Sequence, residues 1–222
     1  MGPRDEGRQE SLRRRQFTHE WTAAAARAYL VAMVRSTPEQ PEIIRPVFTY
    51  EDLRLMPDDR NRYEVIDGEL LVTPSPTIAH QTASKRIQLE LMLQLERTGR
   101  ALVFAAPVDV IFSQLRTVVP DLVIIDQSRR NIVSRRGIEG APDVIIEILS
   151  PSSRRNDREL KAKLYAAEGV REYWLVDDET CTIEVWTLDA GAYRLHGRFG
   201  PGEKLRSFLY DVDLGVDAVF AP

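Results

Sequence analysis

The feature that most constrains this chain is a single carboxylate inside an apolar run. Residues 142–149 have the composition of a β-strand that is buried on both faces, and Glu147 interrupts that pattern. Burying an isolated carboxylate costs several kcal/mol, so a cation, a metal or a full set of hydrogen-bond donors is expected beside Glu147. The alternative interpretation is a buried acid that is paired with an arginine for structural reasons.

A second carboxylate, Asp121, follows Pro120 at the start of another apolar run. If the two runs pair as an antiparallel hairpin centred near residue 134, Asp121 lies opposite Glu147. Directly opposed residues lie ~5 Å apart and point to the same face of the sheet. The pairing therefore predicts a divalent-cation site. A second Pro-Asp pair ends at Asp143, about 13 Å from Glu147 along the strand, and we expect it only to begin that strand.

A helix is predicted over residues 156–168, capped by Asn156 with Glu159 and ended by Gly169. Its helical spacing places Leu160, Leu164 and Ala167 on the sheet, with Lys161 and Tyr165 on the flank of that stripe. Lys161 could then lean over the strand of Glu147. Lys163 is a nearby competitor, but its side chain points elsewhere on the helix.

Asp, Glu and Lys at one end of a sheet are typical of metal-dependent phosphodiester hydrolysis. Carboxylates hold Mg²⁺, the metal activates water, and the lysine stabilises the charge that develops. The residues that carry this pattern follow in the order Pro120-Asp121, Glu147 to Ser152, Asp157-Arg158-x-x-Lys161-x-x-x-Tyr165 and Glu172 to Asp177. This order resembles the Uma2 family of endonucleases, a branch of the PD-(D/E)XK superfamily, over about residues 47–215.

The resemblance implies an α/β fold with a restriction-endonuclease-like αβββαβ core, a DNA endonuclease that uses Mg²⁺ or Mn²⁺, and a homodimer. In the parent superfamily the lysine lies two residues after the acid, where this chain has Leu149; the Uma2-like pattern moves it to the helix, which Lys161 matches. Glu64 and His80 match further family-like positions, and Tyr165 is expected to approach Glu147 or Lys161. A lone histidine at a helix start is more often structural.

Two groups of arginines are candidate phosphate contacts, although such groups usually form only a solvated surface. They are Arg129, Arg130, Arg135 and Arg136 in an acid-free loop, and Arg154, Arg155 and Arg158 before the helix. The formal charge of the chain is −4, so contact with DNA must rely on such local patches.

Composition excludes several other classes of protein. The chain of 222 residues has no apolar run of about 18 residues, which predicts a protein without membrane spans. Cys181 is the single cysteine, which excludes an intrachain disulfide and is consistent with the reducing environment of the cytoplasm. With only His19, His80 and His196 beside it, no zinc cluster is expected. The sequence has no Gly-rich phosphate-binding loop, so no organic cofactor is expected.

Two regions are predicted, an N-terminal extension over 1–46 and a nuclease domain over 47–222. The extension combines an Ala-rich segment with a Pro-rich linker, and it is interpreted as a loosely attached helix. A signal peptide is the competing interpretation, and Met33 is an alternative start.

Within the nuclease domain a mixed sheet between helices is expected. Its predicted elements are a short helix at 50–56, a hairpin turning at Asp67-Gly68, a helix at 78–97, strands at 101–112, 118–125, 142–149 and 172–177, and two further strands near 182–198.

Two rival functions fit the same residues. One is a catalytically idle module that binds nucleic acid and keeps the fold, and the other is a structural subunit of a homodimer in which the carboxylates are only networked.

Overall fold

The apolar segments of the chain form two β-sheets that share a hydrophobic core. The computed structural model describes residues 46–221. The predictions for the N-terminal extension, including its helix, the signal peptide and the Met33 start, lie outside the described residues except at Pro46.

The larger sheet contains the two carboxylate-bearing segments. Its strands are β3 (Ala101–Ala105), β6 (Leu122–Asp126), β8 (Val144–Leu149), β9 (Glu172–Asp177), β10 (Thr182–Asp189) and β11 (Ala192–Phe199), in the order β11-β10-β9-β8-β6-β3. Every residue of β8 and β9 is buried, as near-continuous apolar runs require. Because β8 and β9 are parallel while β6 and β8 are antiparallel, the sheet is mixed and a helix crosses between β8 and β9.

The smaller sheet covers one face of the larger one. It consists of β1 (Arg62–Ile66), β2 (Glu69–Thr73), β4 (Val110–Ser113), β5 (Arg116–Val118) and β7 (Ile138–Glu139), in the order β2-β1-β5-β4-β7. The β1–β2 hairpin turns at Asp67 and Gly68, whose φ angles of 52° and 81° are those of a type I′ turn. This confirms the predicted turn. A separate two-stranded pair joins β12 (Lys204–Leu205) to β13 (Leu214–Gly215).

Helices lie on both faces of the larger sheet. They are α1 (Tyr50–Leu53), α2 (Ile78–Leu91) with a π-helical turn at Met92–Glu96, α3 (Ala162–Ala167) after a π-helical turn at Asn156–Lys161, and α4 (Val216–Phe220). The α2 side chains Ile87 and Leu91 pack against Ile146 and the other even-numbered residues of β8. Odd-numbered residues of β8 face α3 and the smaller sheet, so Glu147 points to that side.

Within the larger sheet the elements α2, β3, β6, β8, α3 and β9 follow in the predicted αβββαβ order, and β10 and β11 extend the sheet. Beside this mixed sheet the chain forms a second, smaller sheet that was not predicted. The strand expected over 101–112 is divided at Ala106-Pro107, and β3 and β4 join different sheets. Pro120 similarly separates β5 from β6, since proline has no N–H to donate to a ladder.

The predicted helix cap at Asn156 is also wrong. Backbone bonds from Arg154 N to Ser150 O and from Asp157 N to Ser153 O place the helix start before Asn156. The buried side of this helix is formed by Asp157, Lys161, Leu164 and Tyr165, whereas Leu160 and Ala167 are exposed. The π-helical turn has more residues per turn than the α-helix assumed for the stripe, so the stripe does not continue through it. Gly169 follows the last turn with φ 82°, which confirms the predicted end.

None of the helices within residues 46–221 has the length and apolar character needed to cross a bilayer.

Candidate active site

The register between β6 and β8 brings the two predicted metal ligands together. Leu122 pairs with Ile146, Val123 with Ile145 and Ile124 with Val144. Continuing this ladder by one residue places Asp121 opposite Glu147. The predicted register is therefore confirmed, and Asp143 lies at the other end of the strand pair, beside Ile125.

Asp121 is buried and accepts three hydrogen bonds at the start of β6. Arg62 Nη2 lies 2.9 Å from Oδ1, while His80 Nε2 at 3.0 Å and the backbone N of Ile148 at 2.8 Å contact Oδ2. Burial raises the pKa of Asp121, but the hydrogen bond from His80 and the charge of Arg62 outweigh burial and lower the pKa to about 2. Asp121 is consequently a carboxylate throughout the physiological range.

Glu147 has the opposite electrostatic environment. Its Oε1 accepts bonds from Lys161 Nζ at 3.0 Å and from the Tyr165 hydroxyl at 2.7 Å. Burial raises its pKa to about 8, the charge of Lys161 opposes this, and the negative charges of Asp157, Asp121 and Glu64 reinforce it. Burial and the neighbouring anions therefore favour the protonated form of Glu147 when no further cation is bound.

Lys161 joins three carboxylates. Its Nζ lies 3.0 Å from Oε1 of Glu64, 3.0 Å from Oε1 of Glu147 and 3.5 Å from Oδ1 of Asp157. Burial lowers the pKa of Lys161, but these three anions raise it above its ordinary value. Lys161 is thus a fixed positive charge and not a proton acceptor. Glu64 Oε1 also accepts a bond from the backbone N of Val119 at 2.9 Å, which holds β1 against β5.

Counting charges gives a test of whether a divalent cation fits. Four buried carboxylates, Glu64, Asp121, Glu147 and Asp157, surround Lys161 and Arg62. Glu64 Oε2 and Asp157 Oδ1 are buried and accept no hydrogen bond in the described part of the chain, although Lys161 Nζ lies 3.5 Å from Asp157 Oδ1. The cluster has two more carboxyl groups than cations and includes carboxyl oxygens without a hydrogen-bond partner, which matches the requirements of a hard divalent cation.

The ligand set is small. Among residues 46–221, no three His, Cys, Asp or Glu side chains form a metal-binding group by themselves. Mg²⁺ usually takes one or two carboxylates and completes its octahedron with water and substrate oxygens. Asp121 and Glu147 fit that pattern.

These residues open onto a cleft with a volume of about 210 Å³. Its walls are the loops before α2 and after β8, with Thr73 to Thr77 on one side and Ser150 to Ser153 on the other. Arg62, His80, Asp121, Glu147, Asp157 and Lys161 all line it. The cleft gives a substrate access to both carboxylates.

Comparison with known proteins identifies the family of this chain. The Uma2 family model, described as "Putative restriction endonuclease", matches residues 50–216. The chain belongs to the Uma2 family. The crystal structure of a "putative nuclease" from Anabaena variabilis ATCC 29413 is similar to this Uma2 protein, with a TM-score of 0.66 and 20% identity. The match covers 78% of this chain and 98% of that one, and at this identity it shows a shared fold. A comparison with curated proteins gives no significant match.

All six residues predicted for the chemistry of this Uma2 protein come together from separate elements. They are Glu64 on β1, His80 on α2, Asp121 before β6, Glu147 on β8, and Lys161 and Tyr165 on the crossover helix. Sequence reasoning missed Arg62 and Asp157. Their spacing was the available signal, because it places each residue on the same face as a predicted site residue. Arg62 lies two residues before Glu64 on one strand, and Asp157 lies four residues before Lys161 on one helix.

The predicted arginine patch at 129–136 lies elsewhere. Its loop begins after Asp126, about 17 Å along β6 from Asp121 at the usual rise per residue. Arg129 bonds Asp143 at 2.9 Å, and Arg136 lies 4.9 Å from the centre of the Tyr50 ring. Arg130 and Arg135 are exposed. This patch therefore does not adjoin the carboxylates, because the loop joins the opposite ends of the strands.

The second arginine group is largely paired with acids. Arg154 bonds Asp177 at 2.6 Å, Arg158 bonds Glu184 at 2.9 Å, and Arg155 lies 3.4 Å from Glu159 on the exposed side of the helix. Two of the three guanidinium groups thus fasten the crossover helix to β9 and β10, which leaves few of their donors for phosphate.

Proposed function

We propose that this protein is a divalent-metal-dependent endonuclease that hydrolyses DNA phosphodiester bonds. The observation that carries the proposal is the convergence of Asp121, Glu147 and Lys161 at one cleft, within a buried cluster of four carboxyl groups and two cations. Membership of a restriction-endonuclease family supports a nucleic acid as the substrate. The proposal includes Mg²⁺ or Mn²⁺ as the cation and a cytoplasmic homodimer as the working form.

Asp121 and Glu147 would hold the cation, which supplies charge neutralisation at the phosphate and lowers the pKa of a bound water. Arg62 and His80 hold the Asp121 carboxylate from both of its oxygens, and this fixes its orientation. Tyr165 does the same for Glu147 through its 2.7 Å hydrogen bond. These hydrogen bonds from Arg62, His80 and Tyr165 keep the ligand oxygens in place before a substrate arrives.

Lys161 would stabilise the negative charge that develops on the phosphate. Its ammonium is held by Glu64, Glu147 and Asp157, and its raised pKa keeps it protonated. A preorganised positive charge in a buried site stabilises a transition state more strongly than the same charge in water. Glu64 positions this lysine and so acts through it.

The test is a cleavage assay on supercoiled plasmid and on single-stranded DNA with Mg²⁺, Mn²⁺ or EDTA. We expect nicking with either metal and none with EDTA. Glu147→Gln and Lys161→Met should each remove activity by orders of magnitude, as the loss of a metal ligand or a charge stabiliser does. A matched control is Asp143→Asn, which alters an equally buried Pro-Asp carboxylate at the other end of the strands.

The second candidate function is an idle module that binds nucleic acid without cleaving it. It is favoured by Asp121, whose two oxygens already accept three bonds within the protein. Such a module would bind DNA equally well in EDTA and would show no metal-dependent cleavage by any variant. That pattern would overturn the endonuclease proposal.

A further inference from the structure

A second groove adjoins the cleft and shares part of its wall. This side groove has a volume of about 510 Å³ and is lined by residues of the α1–β1 loop, the loop before α2 and the segment 106–109. Arg62 and residues 74–76 line both spaces. The Ser75 hydroxyl donates to the carbonyl of Arg60 at 2.6 Å, which ties together the two loops that border the junction. A strand that enters the cleft can therefore continue past Arg62 into the side groove.

The side groove presents guanidinium donors that the protein itself does not use. Arg62 donates one hydrogen bond from Nη2 to Asp121, at 2.9 Å, although a guanidinium group carries five N–H donors. The Arg60 side chain makes no hydrogen bond or ion pair with any residue of the described range 46–221. Arg54 is paired with Glu51, and the acids Asp58 and Asp109 also line the groove. Arg54 also keeps free donors, but Arg62 lines both spaces and Arg60 has no acidic partner among residues 46–221, so these two arginines are the candidate phosphate contacts.

The same groove offers contacts suited to bases. Tyr63 lines it, and its hydroxyl is fixed by a 2.8 Å hydrogen bond to Asp59. The amides of Asn61 and Gln81 supply both donors and acceptors, which can match the edges of exposed bases. Sites for single-stranded nucleic acid combine these elements: cations along the backbone path and aromatic rings against which bases stack.

We propose that the side groove binds an unpaired polynucleotide strand that flanks the phosphate in the cleft. Arg62 and Arg60 contact successive phosphates, and Tyr63 stacks against one base. A base inside a duplex has both faces covered by its neighbours, so only an unpaired strand can use Tyr63. The assignment rests on the proposed nuclease function and deepens it, since it names the form of substrate that the site takes.

Binding in EDTA tests the assignment without hydrolysis. Fluorescence anisotropy is measured with one labelled oligonucleotide, single-stranded or annealed to its complement, over a range of salt concentrations. The variants are Arg60→Ala, Tyr63→Leu and Tyr63→Phe. The matched control is Arg194→Ala, which removes an exposed arginine on β11 that is paired with Asp189. Thermal melting verifies that each variant is folded.

Arg60→Ala should flatten the log–log salt dependence of single-strand binding by about 0.7, the value of one released phosphate contact. Tyr63→Leu should weaken single-strand binding about tenfold with an unchanged salt slope, and Tyr63→Phe should retain wild-type affinity because the ring remains. Arg194→Ala should match the wild type. Duplex binding should change less than about twofold in every variant.

Unchanged single-strand binding by both Arg60→Ala and Tyr63→Leu would overturn the assignment, as would equal losses on single strand and duplex or an absence of binding by the wild type. Cleavage is scored separately on the same preparations. Loss of binding as described, together with no cleavage by the wild type in Mg²⁺ or Mn²⁺, refutes the nuclease and leaves the groove assigned. Normal cleavage with unaffected binding refutes only the groove.

Discussion

Asp121 and Asp143 lie at opposite ends of the same pair of antiparallel strands, although each follows a proline and each is almost completely buried. Asp121 meets Arg62 and His80 in the cleft. Asp143 accepts the backbone N–H of Asp126 at 2.7 Å and lies 2.9 Å from Arg129. Both acids have cationic partners, but only Asp121 lies at the end of the strands that holds Glu147.

This relationship predicts a contrast in metal binding. Asp121→Asn should weaken Mg²⁺ affinity severely because it removes one of two carboxylate ligands, whereas Asp143→Asn should leave it within a few-fold of the wild type. Both variants should lose stability, since each deprives an arginine of its buried anion. Calorimetric titration of both variants in one buffer makes the comparison. Loss of binding in Asp143→Asn alone would refute the proposed site.

The raised pKa of Glu147 predicts how stability varies with pH when metal is absent. The pKa of Glu147 is about 8 in the folded protein, while in the unfolded chain it lies near its ordinary value of 4.5. Between these values the folded state binds more protons, so stability falls as pH rises, by up to about 1.4 kcal/mol per pH unit. Glu147→Gln should flatten this decline.

Urea unfolding in EDTA at several pH values between 5 and 8 measures the effect. The lowered pKa of Asp121 acts in the opposite sense and at lower pH: its contribution is present above 3.8 and is lost as pH falls toward 2. The two effects therefore occupy separate pH windows. A wild-type stability that rises between pH 5 and 8 in EDTA would contradict the prediction.

The central strands and their register were predictable because a strand that is buried on both faces consists almost entirely of apolar residues. In residues 144–149 one charged residue within an apolar run identified Glu147, and the centre of the hairpin then fixed Asp121 as its neighbour. The Asp67-Gly68 turn was predictable for a similar local reason, since few residues adopt two successive positive φ values.

Other features depend on contacts that a local pattern does not encode. The division of residues 101–112 between two sheets depends on which strands β3 and β4 meet, and each half has the same apolar composition. The π-helical turn at Asn156–Lys161 changes the face that Leu160 presents. Arg62 was missed because an arginine at the start of a strand looks like any solvated residue until Asp121 is placed 2.9 Å away.

Lys161 gives a prediction that separates chemistry from stability. Lys161→Met should reduce cleavage by about 10²- to 10³-fold, as the loss of a single charge stabiliser does. It should also destabilise the protein by about 3–5 kcal/mol, because Glu64 and Glu147 lose their shared cation. Lys163→Met, two residues away and exposed, is the control and should be close to the wild type.

The double variant Lys161→Met with Glu64→Gln makes the separation complete. Removing one of the anions should restore part of the lost stability, while cleavage stays at the level of the single variant. Chemical denaturation and plasmid cleavage on the same preparations provide both measurements. A double variant that regains cleavage with its stability would show that Lys161 is a structural residue.

Arg129 should prove to be a residue of stability and not of DNA binding. Its guanidinium bonds Asp143 at 2.9 Å and the carbonyl of Ala141 at 2.8 Å, which anchors the loop after β6 to the start of β8. Among residues 46–221, Arg129→Ala leaves Asp143 with only Arg171, at 3.4 Å, as a cationic partner, so a loss of about 1–3 kcal/mol is expected. Arg130→Ala, on the neighbouring exposed residue, should change stability by less than about 0.5 kcal/mol.

Because both arginines lie at the end of the strands away from the carboxylates, neither variant should change the salt dependence of DNA binding. A slope reduced in both variants would instead place DNA across the loop at 127–136.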